Sequence, residues 1–501
     1  MVIGNTERFQ QVLCRAEAAS FCNLALSVNG VPNARGFHTP GSDPAAGLTI
    51  ANPAFTAEYE TAENEEVRNR AYRNTPVLLT RRGEVSGDLY VRGNGADDTE
   101  VFTDPVFAAL DAFFGVRNTH TVEHDVALFN TATKLDILGA YTAGLRAGMG
   151  FHIVLPSGKS FVSFVTEIKD NSPSSEDAIT FAPPLIAAEL VECQAQPADS
   201  VKLRGGRTYA IGDEYADAMS LYLLLLKQAY AQEVFGARGA TLAANLEVGQ
   251  AGVFNATWQG PYTHQGGYAP AKVVTTWDTV DKATLADVTG LVVGMYISVT
   301  TTVAPAGAYI LRIRAINGLV VSFEPTDLPA GITTEAPVPA LAAITPGATA
   351  APSGSWLVFL NGRAWVDGEY RDIRSANWQI ALNPVAVPTP NNMAGAIDAA
   401  MGDPEITCEI VYSAYDDGAQ FQHFANAEEF SVLCMLGDGT AGNAVALYMP
   451  AAHNTSAPMP GEADSLTTLE TTLRAGLCTT DDDAYNGTDP SNTICRLFFA
   501  W

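Results

Sequence analysis

One pattern limits the folds open to this chain more than any other: short alternating apolar segments, punctuated by glycine, occur twice in the same order. Gly148-Met149-Gly150-Phe151-His152-Ile153 matches Gly294-Met295-Tyr296-Ile297-Ser298-Val299. Phe161, Val165 and Ile168 match Tyr309, Ile313 and Ile316, and Ile179-Thr180-Phe181-Ala182-Pro183 matches Val321-Ser322-Phe323-Glu324-Pro325. Each copy reads as one apolar strand after a Gly turn, then two more joined by a hairpin, with a longer loop (Lys169 to Glu176) in the first. Such a unit is a small β-barrel module of SH3-like size, used twice. The loops Lys169–Glu176 and Thr300–Ala308 are polar or contain Gly or Pro, as surface loops do. The Pro/Ala/Thr-rich stretch 333–354 reads as a linker after the second copy.

The remainder is also mainly β. Thr241 to Leu246, a Glu247-Val248-Gly249-Gln250 turn and Ala251 to Trp258 predict a hairpin whose reversal falls at Gly249. Gly83 to Arg92 predicts a strand with Val85, Leu89 and Val91 on one face, and Thr493 to Trp501 predicts an apolar strand that needs covering. Helix signals are few. Asp104 caps a segment with Pro105 in its first turn and Gly115 just past Phe114. Ala463 to Ala475 is a second candidate, although its threonines suit a strand equally, and Thr6 to Leu26 is a third, with Val12, Ala16 and Ala19 at helical spacing.

Charge narrows the function. Lys and Arg number 28 against 55 Asp and Glu, a net charge of −27 over 501 residues. So acidic a surface repels phosphate backbones and anionic membranes, which excludes a protein that grips DNA but not one that lets DNA slide past. The longest aliphatic stretch, Leu221 to Leu226, is far too short to span a bilayer, and the first residues carry no secretory-signal pattern. Seven widely spaced cysteines (14, 22, 193, 408, 434, 478, 495) without a Cys-x-x-Cys pair fit buried thiols of a reducing compartment; a bridge between neighbouring chains stays open.

Catalytic and ligand motifs do not assemble. Gly158-Lys159-Ser160 lacks the upstream glycine of a phosphate loop, because Ile153 stands there, and it reads as a Pro156–Lys159 hairpin turn. His120 and His124 have i, i+4 spacing but a loop-like setting and no evident third metal ligand. The acidic run Asp481 to Asp489 lacks the glycine placement and terminal Glu of a calcium loop. No Gly-x-Ser-x-Gly occurs and no pair of acids stands out. The expectation is a protein that is not an enzyme, with no cofactor and no metal.

Three stretches resemble the major tail tube proteins of long-tailed, siphovirus-like bacteriophages. The first is Leu79 to Gly93 followed by Pro105 to Gly115, a strand, a loop and a short helix ending in Gly. The second runs from Asp403-Pro404-Glu405-Ile406 to Tyr412, through Gly442 to Pro450, to Leu466–Leu469, Leu473–Ala475 and Cys495–Trp501. The third is the hairpin Gly239 to Gly260. The resemblance implies a tail-tube β-sandwich or barrel core with one or two short helices and two inserted modules. On that reading 1–130, 201–275 and 355–501 belong to the core, 131–200 and 276–335 are the insertions on the outside of the assembly, and 336–354 is the linker.

The resemblance further implies a structural virion protein, made in the host cytoplasm, that forms stacked rings around a conduit for double-stranded DNA. Rings would hold six copies, or three if the tube fold is doubled. Implied partners are the chain itself, the tape measure protein, tail-terminator and baseplate proteins, and DNA in transit without specific binding; no membrane is involved. Alternation within the central hairpin nominates Asn245, Glu247, Gln250, Asn255 and Gln259 as channel-lining, with Leu246, Val248, Val253, Phe254 and Trp258 packing outward. The hairpin could equally bridge neighbouring rings. A receptor- or carbohydrate-binding tail component is the alternative; it would expose aromatic clusters, whereas Trp356, Trp365 and Trp378 read as core.

Overall fold

A computed structural model describes residues 11–16, 47–62, 77–93, 105–114, 116–138, 145–169, 176–197, 200–211, 220–303, 306–324, 328–345, 356–359, 363–388, 396–413, 419–437, 439–463, 466–477 and 493–500. Three antiparallel sheets, continuous with one another through Tyr230–Glu247 and through the pairing of Ala444–Asn454 with Leu466–Ala475, surround one large apolar core. The first runs Ala51–Ala62, Val77–Tyr90, Val253–Gly260, the second half of Tyr230–Glu247, Ile373–Ala381, Glu405–Tyr412, Leu466–Ala475 and Met459–Ala463, eight strands in all. The second runs Val116–Thr119, Gly206–Ile211, Cys495–Ala500, Ala444–Asn454, Phe430–Gly437 and Arg363–Val366. The third joins Gly47–Leu48, Gln11–Ala16, Leu221–Leu226, the first half of Tyr230–Glu247, and Tyr262–Gly267.

Strand Tyr230–Glu247 serves two sheets because its register shifts between Gly239 and Thr241, where an extra residue bends the chain. Gly239 also makes room for the helix Pro105–Asp111 and its following turn: a Cβ there would lie 2.2 Å from the Phe113 ring. Phe113 instead packs against Trp258, whose indole N–H donates to the Ala109 carbonyl at 3.1 Å. The unbroken run at 221–226 is explained by burial on both faces. Leu221, Leu223 and Leu225 enter the main core, while Tyr222, Leu224 and Leu226 form a second cluster behind it.

The repeat is a structural repeat. Gly148 and Gly294 have φ of 83° and 94°, a conformation that favours glycine. Gly148 N–H donates to Val165 and Gly294 N–H to Ile313, while Val165 and Ile313 donate back to Met149 and Met295. Phe181 donates to the Thr133 carbonyl as Phe323 does to that of Asp281. The first unit is a closed barrel of six strands between Glu123 and Arg204, and a turn with Gly158 at φ 83° stands where the phosphate-loop fragment was considered. The second, between Val274 and Ala342, departs from the expected barrel: it is a six-stranded sheet not closed by regular pairing, although a Lys272–Leu341 bridge brings its two ends together.

Each unit sits on the outer face of a sheet. Val162 and Phe164 of the first pack on Trp365, Leu433, Met435, Tyr448 and Phe498 of the second sheet. Tyr296 and Ile310 of the second unit pack on the Tyr222, Leu224 and Leu226 side of the third sheet. Two helix expectations fail. Leu466–Ala475 is a strand paired with Glu405–Tyr412, which its β-branched threonines favour. Within 6–26, Gln11–Ala16 is a strand held by Leu221–Leu226, a long-range pairing that overrides local spacing. Gly115 and the acidic run 481–489 lie outside the described residues. No helix of the described residues is long and apolar enough to cross a membrane.

Candidate channel-lining face

The six inner strands of the first sheet bury one face and leave the other mainly polar. The period of two produces this strand by strand: Leu242, Ala244 and Leu246 point inward, and Ala243, Asn245 and Glu247 outward. Phe254, Ala256 and Trp258 alternate with Asn255, Thr257 and Gln259. Ala376, Trp378 and Ile380 alternate with Ser375, Asn377 and Gln379, and Ile406, Cys408 and Ile410 with Glu405, Thr407 and Glu409. Register carries the pattern across neighbours. Asp88, Asn255, Ala243, Gln379, Thr407 and Arg474 form one transverse row; Tyr90, Val253, Asn245, Asn377, Glu409 and Thr472 form the next.

Asn245, Glu247, Asn255 and Gln259 therefore share one exposed face. The Asn255 amide donates to Asp88, and the Gln259 amide donates to Glu84 at 3.0 Å. Gln250 lies instead in the turn at the end of the sheet, its N–H donating to the Glu247 carbonyl at 3.0 Å, beside Gly249 with φ 82°. Leu246, Phe254 and Trp258 are buried as expected. Val248 and Val253 are not packed inward. Val248 belongs to the turn and is 50% exposed, and Val253 stands in register with Asn245 on the polar face. Adjacent Val253 and Phe254 cannot share a side, and the heavier ring takes the core.

The face is acidic. Glu58, Glu84, Asp88, Glu247, Glu405, Glu409 and Glu470 lie on it among the described residues, together with Arg82, Arg374, Arg474 and the buried Arg238 opposite Gln259. Two of these carboxylates, Glu409 and Glu470, are neighbours. Glu470 is held above the ordinary carboxyl range, first by a hydrogen bond shared with Glu409, then by burial and by the Glu409 charge. At one end of the sheet, a cleft of about 410 Å³ is lined by Thr56, Glu58, Arg82, Glu84, Gln259 and Val385. Sequence reasoning confined to one hairpin missed Glu84, Asp88, Glu405, Glu409 and Glu470. Their alternation was legible in each strand; their side-by-side placement was not.

Other expectations resolve individually. Trp378 is core and Trp365 lies in the seam with the first repeat unit. Trp356 is 55% exposed, stacked on Tyr90 at 5.0 Å with the Arg92 guanidinium over its ring. It lies outside the regular strands, so period-two alternation does not apply to it. His120 and His124 are not on a helix; their Nε2 atoms are 3.1 Å apart at the neck of the first barrel. Burial, then the neighbouring imidazole, lowers the His120 pKa to about 4, and burial lowers that of His124, as a neutral N–H···N pair requires. The described cysteines 14, 193, 408, 434 and 495 are free and buried. No protein-family model and no curated protein matches this chain.

Proposed function

We propose that this chain is the tube-forming subunit of a long-tailed phage tail, closing into rings whose polar sheets line a conduit for double-stranded DNA. One observation carries the reading. The exposed face of the eight-stranded sheet is mainly polar and acidic, and its outer strands, Ala51–Ala62 and Met459–Ala463, each pair on one side only among the described residues. Two such edges invite backbone pairing, and head-to-tail pairing that closes removes both. An acidic lining suits the transport of DNA, since cation–phosphate contacts would retain it.

The strand count favours rings of three. With strands about 4.8 Å apart and tilted by roughly 40°, three subunits close a barrel of about 24 strands with a bore of about 38 Å after side chains. Six subunits of this width would enclose about 85 Å on the same geometry, far more than a duplex needs. The repeat units face away from the polar sheet and decorate the outside. The tape measure, terminator and baseplate proteins enter as partners through the resemblance alone, as does residence in the virion.

Negative-stain microscopy of the purified chain, with mass measurement of isolated rings, tests the proposal. Tubes or rings are expected, with three copies per ring. A chain that stays monomeric at high concentration and at every salt concentration refutes ring formation; rings of six refute the closure argument.

A further inference from the structure

We propose that Glu233, His264 and Glu324 form a divalent transition-metal site that staples the second repeat unit to the core. Glu233 and His264 lie on the core strands Tyr230–Glu247 and Tyr262–Gly267, and Glu324 follows the strand Val320–Phe323 of the repeat unit. One ligand atom from each lies within 4.8 Å of the others, and the residues are 0%, 5% and 6% exposed. A point central to such a triangle is at most about 2.8 Å from each corner, so small rotamer shifts reach the ~2.0–2.2 Å of zinc–ligand bonds.

Charge and orientation both point to a cation. Burying two carboxylates costs several kcal/mol each unless they are compensated. Arg312 pairs with Glu324 and compensates one. The Tyr222 hydroxyl donates to Glu233 Oε2 at 2.5 Å, which orients that carboxylate. The donor set of one imidazole and two carboxylates, each carboxylate held from behind by a second side chain, has the construction of a metal centre. The seam around it is already close. A Cβ on Gly266 would fall 2.1 Å from the Gly294 carbonyl, and Tyr268 bridges Tyr296. A metal here would cross-link strands that meet only in the folded chain, so its binding would add to the stability of docking. The inference is independent of ring assembly.

The test uses the full chain, stripped with chelator and titrated with Zn²⁺, with metal content by mass spectrometry, thermal midpoint, and the visible spectrum of the Co²⁺-substituted protein. One zinc per chain and a midpoint rising with free Zn²⁺ are expected. Glu324→Gln and His264→Asn, shown folded by near-ultraviolet dichroism, should lose both, and Tyr222→Phe should bind about tenfold more weakly. Substoichiometric metal together with a midpoint indifferent to chelator, Zn²⁺ and Mn²⁺ would overturn the proposal. Wild-type binding retained in both ligand variants would also overturn it, placing the ion elsewhere.

Discussion

Excising the first barrel should separate what it does for solubility from what it does for assembly. The cut is available because Thr119 and Arg207 are cross-strand partners, so a two-residue Asn-Gly turn can replace 120–206 and leave a hairpin. What the barrel covers sets the magnitude. Trp365, Leu433, Met435, Tyr448 and Phe498 are now buried beneath Val162 and Phe164, with the Phe164 ring stacked on Tyr448 at 4.6 Å. At about 1.5–3 kcal/mol per large apolar side chain, five such groups represent on the order of 10 kcal/mol of lost burial. Arg363 also loses Glu189 and the Phe161 ring beneath its guanidinium. The main core belongs to the three sheets and should persist, so the excised chain should fold, bind a hydrophobic dye and aggregate. Replacing those five residues with threonine as well should restore a soluble chain that still forms rings by negative-stain microscopy. A bare excision that stays monodisperse without dye binding would refute the packing argument. A repaired chain that is folded but does not assemble would place the barrel in the tube wall.

Three further outcomes are expected. Acid should destabilise the neck of that barrel: the unfolded His120 takes a proton near pH 6.5, whereas the folded one resists until about 4. Stability is therefore fully present above pH 6.5 and lost as pH falls towards 4, by about 3 kcal/mol from His120; urea unfolding of His120→Asn/His124→Asn should show a shallower acid slope than wild type, and equal slopes would refute the assignment. Glu247→Lys should leave rings forming but slow DNA ejection from particles that carry it, more so at low salt, where screening is weak; unchanged kinetics at low ionic strength would remove this residue from the channel. Cys14, Cys434 and Cys495 are buried with pKa values pushed up to about 12, and burial likewise raises those of Cys193 and Cys408. A thiol reagent at pH 8 should thus spare at least five thiols of the native chain, and rapid reaction of three or more of the seven would contradict this packing.

Some of this architecture belongs to the sequence alone because its cause is local. A glycine at φ 83° or 94° followed by a strand of fixed apolar spacing makes the same turn wherever it stands, so the repeat is legible in the sequence. The helix at 105–111, its proline in the first turn, is local in the same way. Alternation is local too, since the backbone period of two sends Asn245 and Glu247 to one side and Leu246 to the other. Partners across space are not local. Gln11–Ala16 is a strand because Leu221–Leu226 lies beside it, and the threonines of Leu466–Ala475 follow Glu405–Tyr412 rather than a helical period. Val253 faces the polar side because register with Asn245 leaves it there. Only the tertiary structure gathers the acids of five strands onto one face, and only it brings Glu233, His264 and Glu324 within 4.8 Å. Their separations in sequence follow neither a helical nor a strand period. Backbone geometry dictates which way each side chain points, but long-range pairing decides what it meets.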